Sequence, residues 1–124
     1  MCDDSYMAWT VLVVDDHPAF RASACRLLEL DGFEVVGEAG DGDTAIRLTR
    51  ALRPQLVLLD IGLPDRSGFE VAERLSGSQA HVVLISSRAR ADLGRRVRES
   101  GAIGFLSKEQ LSGEAILALL ERAA

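Results

Sequence analysis

Val11-Leu12-Val13-Val14 runs into Asp15-Asp16, and Leu56-Val57-Leu58-Leu59 runs into Asp60. These two stretches decide the fold. Runs of β-branched and aliphatic residues of this length read as strands buried on both faces, which is the pattern of a parallel sheet. Parallel strands point the same way, so their carboxyl ends line one edge, where α/β proteins build ligand sites. Three carboxylates then meet in one crevice. At about 4 Å, like charges repel by roughly 1 kcal/mol in water and several times that near a protein surface. A fold that crowds them holds a divalent cation, a shared proton or a phosphoryl group.

Outward from these runs the chain alternates. Residues 1–8 read as a flexible leader and residues 9–124 as one domain. Strand one covers residues 9–14. Pro18 suits a first helical turn, and Phe20, Ala24, Leu27 and Leu28 recur at helical spacing to Leu30, where Asp31-Gly32 ends the helix. Strand two covers 33–38. Gly40-Asp41-Gly42-Asp43 is a turn, with Asp43 a plausible N-cap. A second helix ends at Arg53-Pro54, strand three covers 55–60, and a third short helix runs from Phe69 to Leu75. Strand four covers 81–86, a fourth helix 89–100 and a short fifth strand 102–107, and Ser112 caps a last helix. Five strands alternating with five helices through short crossovers imply a doubly wound parallel sheet. The order 2-1-3-4-5 sets strands one and three together at the topological switch point.

The bulk numbers agree with one soluble α/β domain. The chain has 124 residues, 48% hydrophobic and 27% charged, enough to close a core without staples. Its 14 basic and 19 acidic residues give a formal net charge of −5. That charge argues against general affinity for nucleic acid or an anionic membrane. Cys2 sits in the leader and Cys25 on an apolar helical face, so no disulfide is expected and a reducing cytoplasm fits. No uncharged stretch near the start is long enough to span a membrane or read as a signal peptide.

Four polar features fall at strand ends: Asp15/Asp16, Asp60, Ser86 and Lys108. An aspartate can attack phosphorus and become an acyl phosphate. The phosphoryl charge needs neutralising, which a cation and a lysine do together. Mg²⁺ takes oxygen ligands and keeps several waters, so one or two carboxylates suffice. Lys108 is the only lysine.

Here the chain resembles the receiver domains of two-component response regulators, over residues 9–122. The matching motifs are VLVVDDHPAFR (11–21), LVLLDIGLPDRSG (56–68), VVLISS (82–87) and GAIGFLSK (101–108). The DDHPAFR opening resembles the NarL/FixJ-type branch, whose members usually carry a C-terminal helix-turn-helix. The resemblance implies a flavodoxin-like, CheY-like fold. It implies that Asp60 accepts a phosphoryl group from a sensor histidine kinase. Asp16 would ligate Mg²⁺ directly, Asp15 mostly through water, and the Gly62 carbonyl would complete the protein ligands. Ser86 and Lys108 would contact the phosphoryl group, and Phe105 would turn inward as Ser86 moves. The fourth helix, fifth strand and fifth helix would form the face offered to an output domain, a partner protein or a second copy. The protein would be a cytoplasmic signalling switch, with phosphotransfer onto itself rather than turnover.

The sequence departs from the family in places. Glu109 follows the lysine where proline is common, so a trans peptide is expected. The resemblance puts Gly62 and Arg88 at two positions that tune phosphoryl lifetime in the family, and with these residues it implies slow self-hydrolysis.

Other readings of single residues stay open. An acid after a strand is often an N-cap, Ser86 can satisfy a local backbone group, and Phe105 alone reads as core. His17 beside the acids reads as a helix-start residue before a metal ligand, and His81 as structural. The residues 37–42 lack the glycine order of a phosphate loop and read as a turn. Arg88, Arg90, Arg95, Arg96 and Arg98 read first as a solvated face with an Asp92–Arg96 pair, and second as a partner surface; direct DNA contact by it is not expected. Two rival functions remain. A metal-dependent aspartyl-phosphate phosphatase would want an acid where Gly62 stands. A phosphate-independent interaction module would not need the full set of acids, hydroxyl and lysine.

Overall fold

Five strands form one parallel sheet in the order 2-1-3-4-5 in the computed structural model. The structure describes residues 8–87 and 93–123, the side chain of Leu93 excepted. The elements are β1 (Thr10–Val14), α1 (Pro18–Leu30), β2 (Glu34–Ala39), α2 (Gly42–Leu52), β3 (Leu56–Asp60), α3 (Gly68–Leu75), β4 (His81–Ser86), α4 (Leu93–Ser100), β5 (Gly104–Ser107) and α5 (Gly113–Ala123). A single 3-10 turn, Lys108–Gln110, joins β5 to the last helix. All but the last residue of the leader over residues 1–8, and with them Cys2, lie outside the described residues. So do Arg88, Arg90 and Asp92.

The sheet has a core on each side because successive side chains point to opposite faces. Leu12, Val14, Val57, Leu59, Val82 and Leu84 pack under α2, α3 and α4. Val11, Val13, Leu56, Leu58, Val83 and Ile85 pack under α1 and α5. This explains why Val11–Val14 and Leu56–Leu59 are apolar without alternation: both faces of β1 and β3 are covered, and these residues are fully buried. Truncating one such leucine to alanine costs about 2–5 kcal/mol.

The helix boundaries follow local chemistry. α1 opens with Pro18 in its first turn, and the chain leaves it through Gly32 at φ +95. α2 ends where Arg53 adopts the left-handed conformation and Pro54 follows. Ser67 caps α3 by accepting from the Glu70 N–H, and Ser112 accepts from the Ala115 N–H at the start of α5. The sequence reading needs one correction here. Asp43 is not the N-cap of α2; Asp41 is, in an extended conformation, and it accepts from the Thr44 N–H at 2.8 Å. Asp43 lies inside the first turn, where its charge still suits the helix dipole.

Smaller differences concern strand ends. Gly37 and Glu38 belong to β2, which carries a register shift against β1 after Val11, and the turn begins only at Gly40. The Lys108–Glu109 peptide is trans, as expected without proline. Cys25 is buried and free of any disulfide, and burial pushes its thiol up to about 11. His81 packs edge-on against Trp9 with ring centroids 6.1 Å apart.

Candidate functional site

The register of the sheet assembles the site. Val14 lies opposite Leu59, so the next residues, Asp15 and Asp60, leave the sheet side by side. Asp60 in turn lies opposite Ile85, and Ser86 opposite Ser107. Ser86 and Lys108 therefore end up at the same edge. Single ligand atoms from Asp15, Asp16, His17 and Asp60 all lie within 4.8 Å of one another. Asp15 is fully buried and Asp60 nearly so, at 5% exposure.

Lys108 answers this negative charge. Its Nζ lies 2.7 Å from Asp15 Oδ2 and 3.7 Å from Asp60 Oδ2. The same ammonium sits 4.3 Å from the centre of the Phe20 ring, a cation–π contact that holds it over the carboxylates. The strand endings place Lys108 at this edge but give no sign of its aromatic platform, because Phe20, within the same DDHPAFR stretch, has the helical spacing of a core residue.

The acids are fixed from several directions. Asp15 Oδ1 accepts from the His17 backbone N–H at 2.8 Å. Arg21 donates to the Asp15 carbonyl at 2.7 Å and pairs through Nε with Glu38 at 3.1 Å. Asp60 Oδ1 accepts from the Gly62 N–H at 3.1 Å. His17 Nδ1 stands 3.3 Å from Asp15 Oδ1 and 3.1 Å from Asp16 Oδ1, so the residue read as a helix start also joins the acid group. Burial is the main cause that pushes the Asp60 carboxyl above the ordinary carboxylate range. The Gly62 N–H opposes it, the Asp15 charge adds to it, Lys108 opposes it, and Asp16 adds again.

Two buried oxygens in this group lack an aligned hydrogen-bond donor: Asp15 Oδ2, beside the Lys108 ammonium, and Asp16 Oδ1, beside the His17 ring. Buried polar atoms normally have such a donor. A hard cation with oxygen ligands would satisfy both, and three carboxylates in one crevice are its usual hosts.

The remaining predicted residues take their places around this centre. Gly62 is the second residue of the loop after β3 and forms an isolated bridge with Ser67. Open space surrounds its Cα, where an added side chain would touch nothing. Ser86 ends β4, partly buried. Phe105 lies opposite Leu84 on β5, partly buried against the core beneath α4. On α4, Arg96 covers the Phe69 ring at 4.2 Å and Arg95 pairs with Glu99 at 3.3 Å. The expected Asp92–Arg96 pair lies outside the described residues.

Sequence reasoning missed the clasp on the β3–α3 loop. Asp65 Oδ1 accepts from the Gly42 N–H at 2.8 Å and Oδ2 from the Asp43 N–H at 3.0 Å. Arg66 reaches Asp43 at 2.7 Å and Glu70 at 2.9 Å. The loop that carries Gly62 is thereby bolted to the amino end of α2. Gly68 closes the loop, and a Cβ there would collide with the Asp60 carbonyl oxygen.

Comparison with known proteins gives the same answer as the geometry. Residues 11–121 match the response regulator receiver domain. A Pseudomonas aeruginosa protein named as a transcriptional regulator is 41% identical over 110 residues, covering 87% of this chain and 53% of that protein. BvgA of Bordetella pertussis, named as a positive transcription regulator of virulence factors, is 39% identical over 108 residues, 86% of this chain and 52% of its own. The chain spans about half the length of the curated relatives it matches. The structure of the signal receiver domain of the response regulator NarL from Mycobacterium tuberculosis superposes with a TM-score of 0.84, at 36% identity, over 94% of this chain and 96% of that one. No helix among the described residues is long and apolar enough to cross a membrane. With its acids, lysine and sheet order in place, the chain belongs to the response regulator receiver domains, in their NarL branch.

Proposed function

We propose that this receiver, residues 9–124, is a phosphorylation-dependent switch whose phosphoacceptor is Asp60. One observation carries the reading: Asp15, Asp16 and Asp60 converge within 4.8 Å at a sheet edge, with the only lysine of the chain paired against them. Nothing in the packing of the fold needs such a cluster, and its mutual repulsion works against stability.

In the proposed transfer an Asp60 carboxylate oxygen attacks the phosphorus of a phosphohistidine on a sensor histidine kinase. The O–P bond forms as the P–N bond breaks, and the imidazole leaves with its electron pair. A carboxyl lifted above its ordinary range is a better nucleophile once ionised. Asp15, Asp16, Asp60 and the Gly62 carbonyl are the proposed holders of Mg²⁺, which supplies positive charge to the transferring group. Lys108, freed from full pairing with Asp15, turns to the phosphoryl oxygens, and the Ser86 hydroxyl donates to another.

Ser86 ends β4 and Phe105 lies on the neighbouring strand β5. A shift of Ser86 toward the phosphoryl group draws Phe105 inward and changes the face made by α4, β5 and α5. That face is the proposed contact for an output domain, a partner protein or a second copy of the chain. The relatives named as transcription regulators support transcription as the output, and the bacterial cytoplasm as the place. The chemistry acts on the protein itself and needs no turnover.

Beryllofluoride with Mg²⁺ imitates the phosphoryl group. Its addition shifts the amide resonances of Ser86, Phe105, Lys108 and the α4–β5–α5 face as one two-state set, and Asp60→Asn abolishes the shift. An unchanged spectrum in the unsubstituted chain would favour a phosphate-independent interaction module.

A further inference from the structure

The opposite edge of the sheet carries a second concavity. A pocket of about 920 Å³ opens between the amino ends of β1, β3 and β4 and the carboxyl ends of α2 and α3. Its volume falls in the range of small-molecule sites. Arg50, Arg53 and Arg74 line it, together with Trp9, Gln55 and His81, and no acid is among the lining residues. In a chain of formal charge −5 this is a local reversal of sign. Arg21, Arg66 and Arg95 each pair with a carboxylate. Among the described residues the three guanidiniums of the pocket have no such partner.

Helix electrostatics favours all three. Arg50 and Arg74 lie in the last turns of α2 and α3, and Arg53 caps α2, so each cation complements the carbonyl end of a helix. What helix electrostatics does not require is the backbone conformation of Arg53. Its backbone sits at φ 50, ψ 54, and among the described residues it is the only one besides glycine with positive φ. Glycine occupies that position without strain. An arginine held there keeps a strained backbone to place a guanidinium at the pocket. The same pocket is lined by Trp9, the only tryptophan of the chain and partly exposed. The pocket therefore combines unpaired forked donors with a flat aromatic surface.

We propose that this pocket binds a nucleoside polyphosphate. Guanidiniums match phosphate oxygens in bidentate pairs, and an indole offers a stacking platform for a base. The site lies away from Asp60 and does not depend on the phosphorylation reading.

Trp9 makes the test direct, because all tryptophan fluorescence arises at the pocket. ATP is titrated against the 124-residue chain without Mg²⁺, by Trp9 fluorescence and by calorimetry. A saturable change is expected well below millimolar ATP, weakening steeply with salt. Arg53→Gly should weaken binding at least tenfold while leaving Tm equal or higher, since the substitution also relaxes the backbone. That pairing separates lost binding from lost folding. Asp60→Asn should bind ATP as the unsubstituted chain does. The proposal is overturned by the absence of saturation, by equal affinity in Arg53→Gly, or by loss of affinity in Asp60→Asn, which would put the ligand at the other edge. Tripolyphosphate or a short polyglutamate peptide binding as tightly as ATP would also overturn it, by showing that no base is read.

Discussion

Lys108 does two jobs that a single substitution can separate. It neutralises Asp15, which has no exposure of its own, and it stands ready for the charge that arrives on Asp60. Removing one partner of a buried pair leaves the other uncompensated. Lys108→Ala should therefore lower stability by about 3 kcal/mol in metal-free solution. Asp60→Asn should raise it by about 1 kcal/mol, because one of three crowded charges disappears while the Lys108–Asp15 pair remains. Urea denaturation of both variants and of the double variant gives the coupling between the two residues. A stabilising Lys108→Ala would mean that the acids are not held together by this lysine. The positions of these residues were legible because Asp15, Asp16, Asp60 and Lys108 all end or follow strands of one sheet and because Lys108 has no duplicate. The Phe20 platform and the Arg21 link to the Asp15 carbonyl were not legible. Both depend on the direction α1 takes after Asp16, which no local pattern specifies.

Among the elements, the amino end of α2 is the joint that matters for the site. Its first N–H groups are taken by two carboxylates, Asp41 from its own turn and Asp65 from the loop after β3. The backbone N–H of Gly42, then burial acting the other way, then the N–H of Asp43, leave the Asp65 carboxyl below its ordinary range. A carboxyl depressed in the folded state contributes stability above its unfolded value, about 3.9, and loses it as pH falls through the lower folded value. Asp65→Asn should therefore cost about 1 kcal/mol at neutral pH, the size of a lost helix cap. The gap in Tm between the variant and the unsubstituted chain should close as pH falls below about 4. A gap that stays constant down to pH 2 would rule out the charged cap. Among the described residues strand and helix boundaries were readable to within two residues, because Gly, Pro and Asp punctuate nearly every one; the start expected for the fourth helix, at residue 89, lies outside them. The N-cap of α2 was misplaced because Gly40-Asp41-Gly42-Asp43 offers two aspartates in like settings. Only the extended backbone at Asp41 and the reach of Asp65 across 23 residues decide between them.

At the scale of the molecule, the sheet separates two edges of opposite charge and two cores of similar make. The carboxyl edge gathers Asp15, Asp16 and Asp60, while the amino edge gathers Arg50, Arg53 and Arg74. A further long-range tie joins the first helix to the last, since Asp31 after α1 accepts from the Gly113 N–H at the start of α5, 82 residues away. Strand–helix alternation and the two apolar runs sufficed to put β1 and β3 inside the sheet, because runs buried on both faces belong at its centre. They carried no information about such distant ties or about the basic pocket, whose arginines are scattered through the sequence. The central claim is that the acid edge is a phosphoacceptor centre. Intact-mass spectrometry after incubation with acetyl phosphate and Mg²⁺ tests it most directly. One added phosphoryl group is expected, labile to hydroxylamine as an acyl phosphate is, and absent in Asp60→Asn and without Mg²⁺. An unmodified chain, or a phosphoryl group that persists in Asp60→Asn, would contradict it.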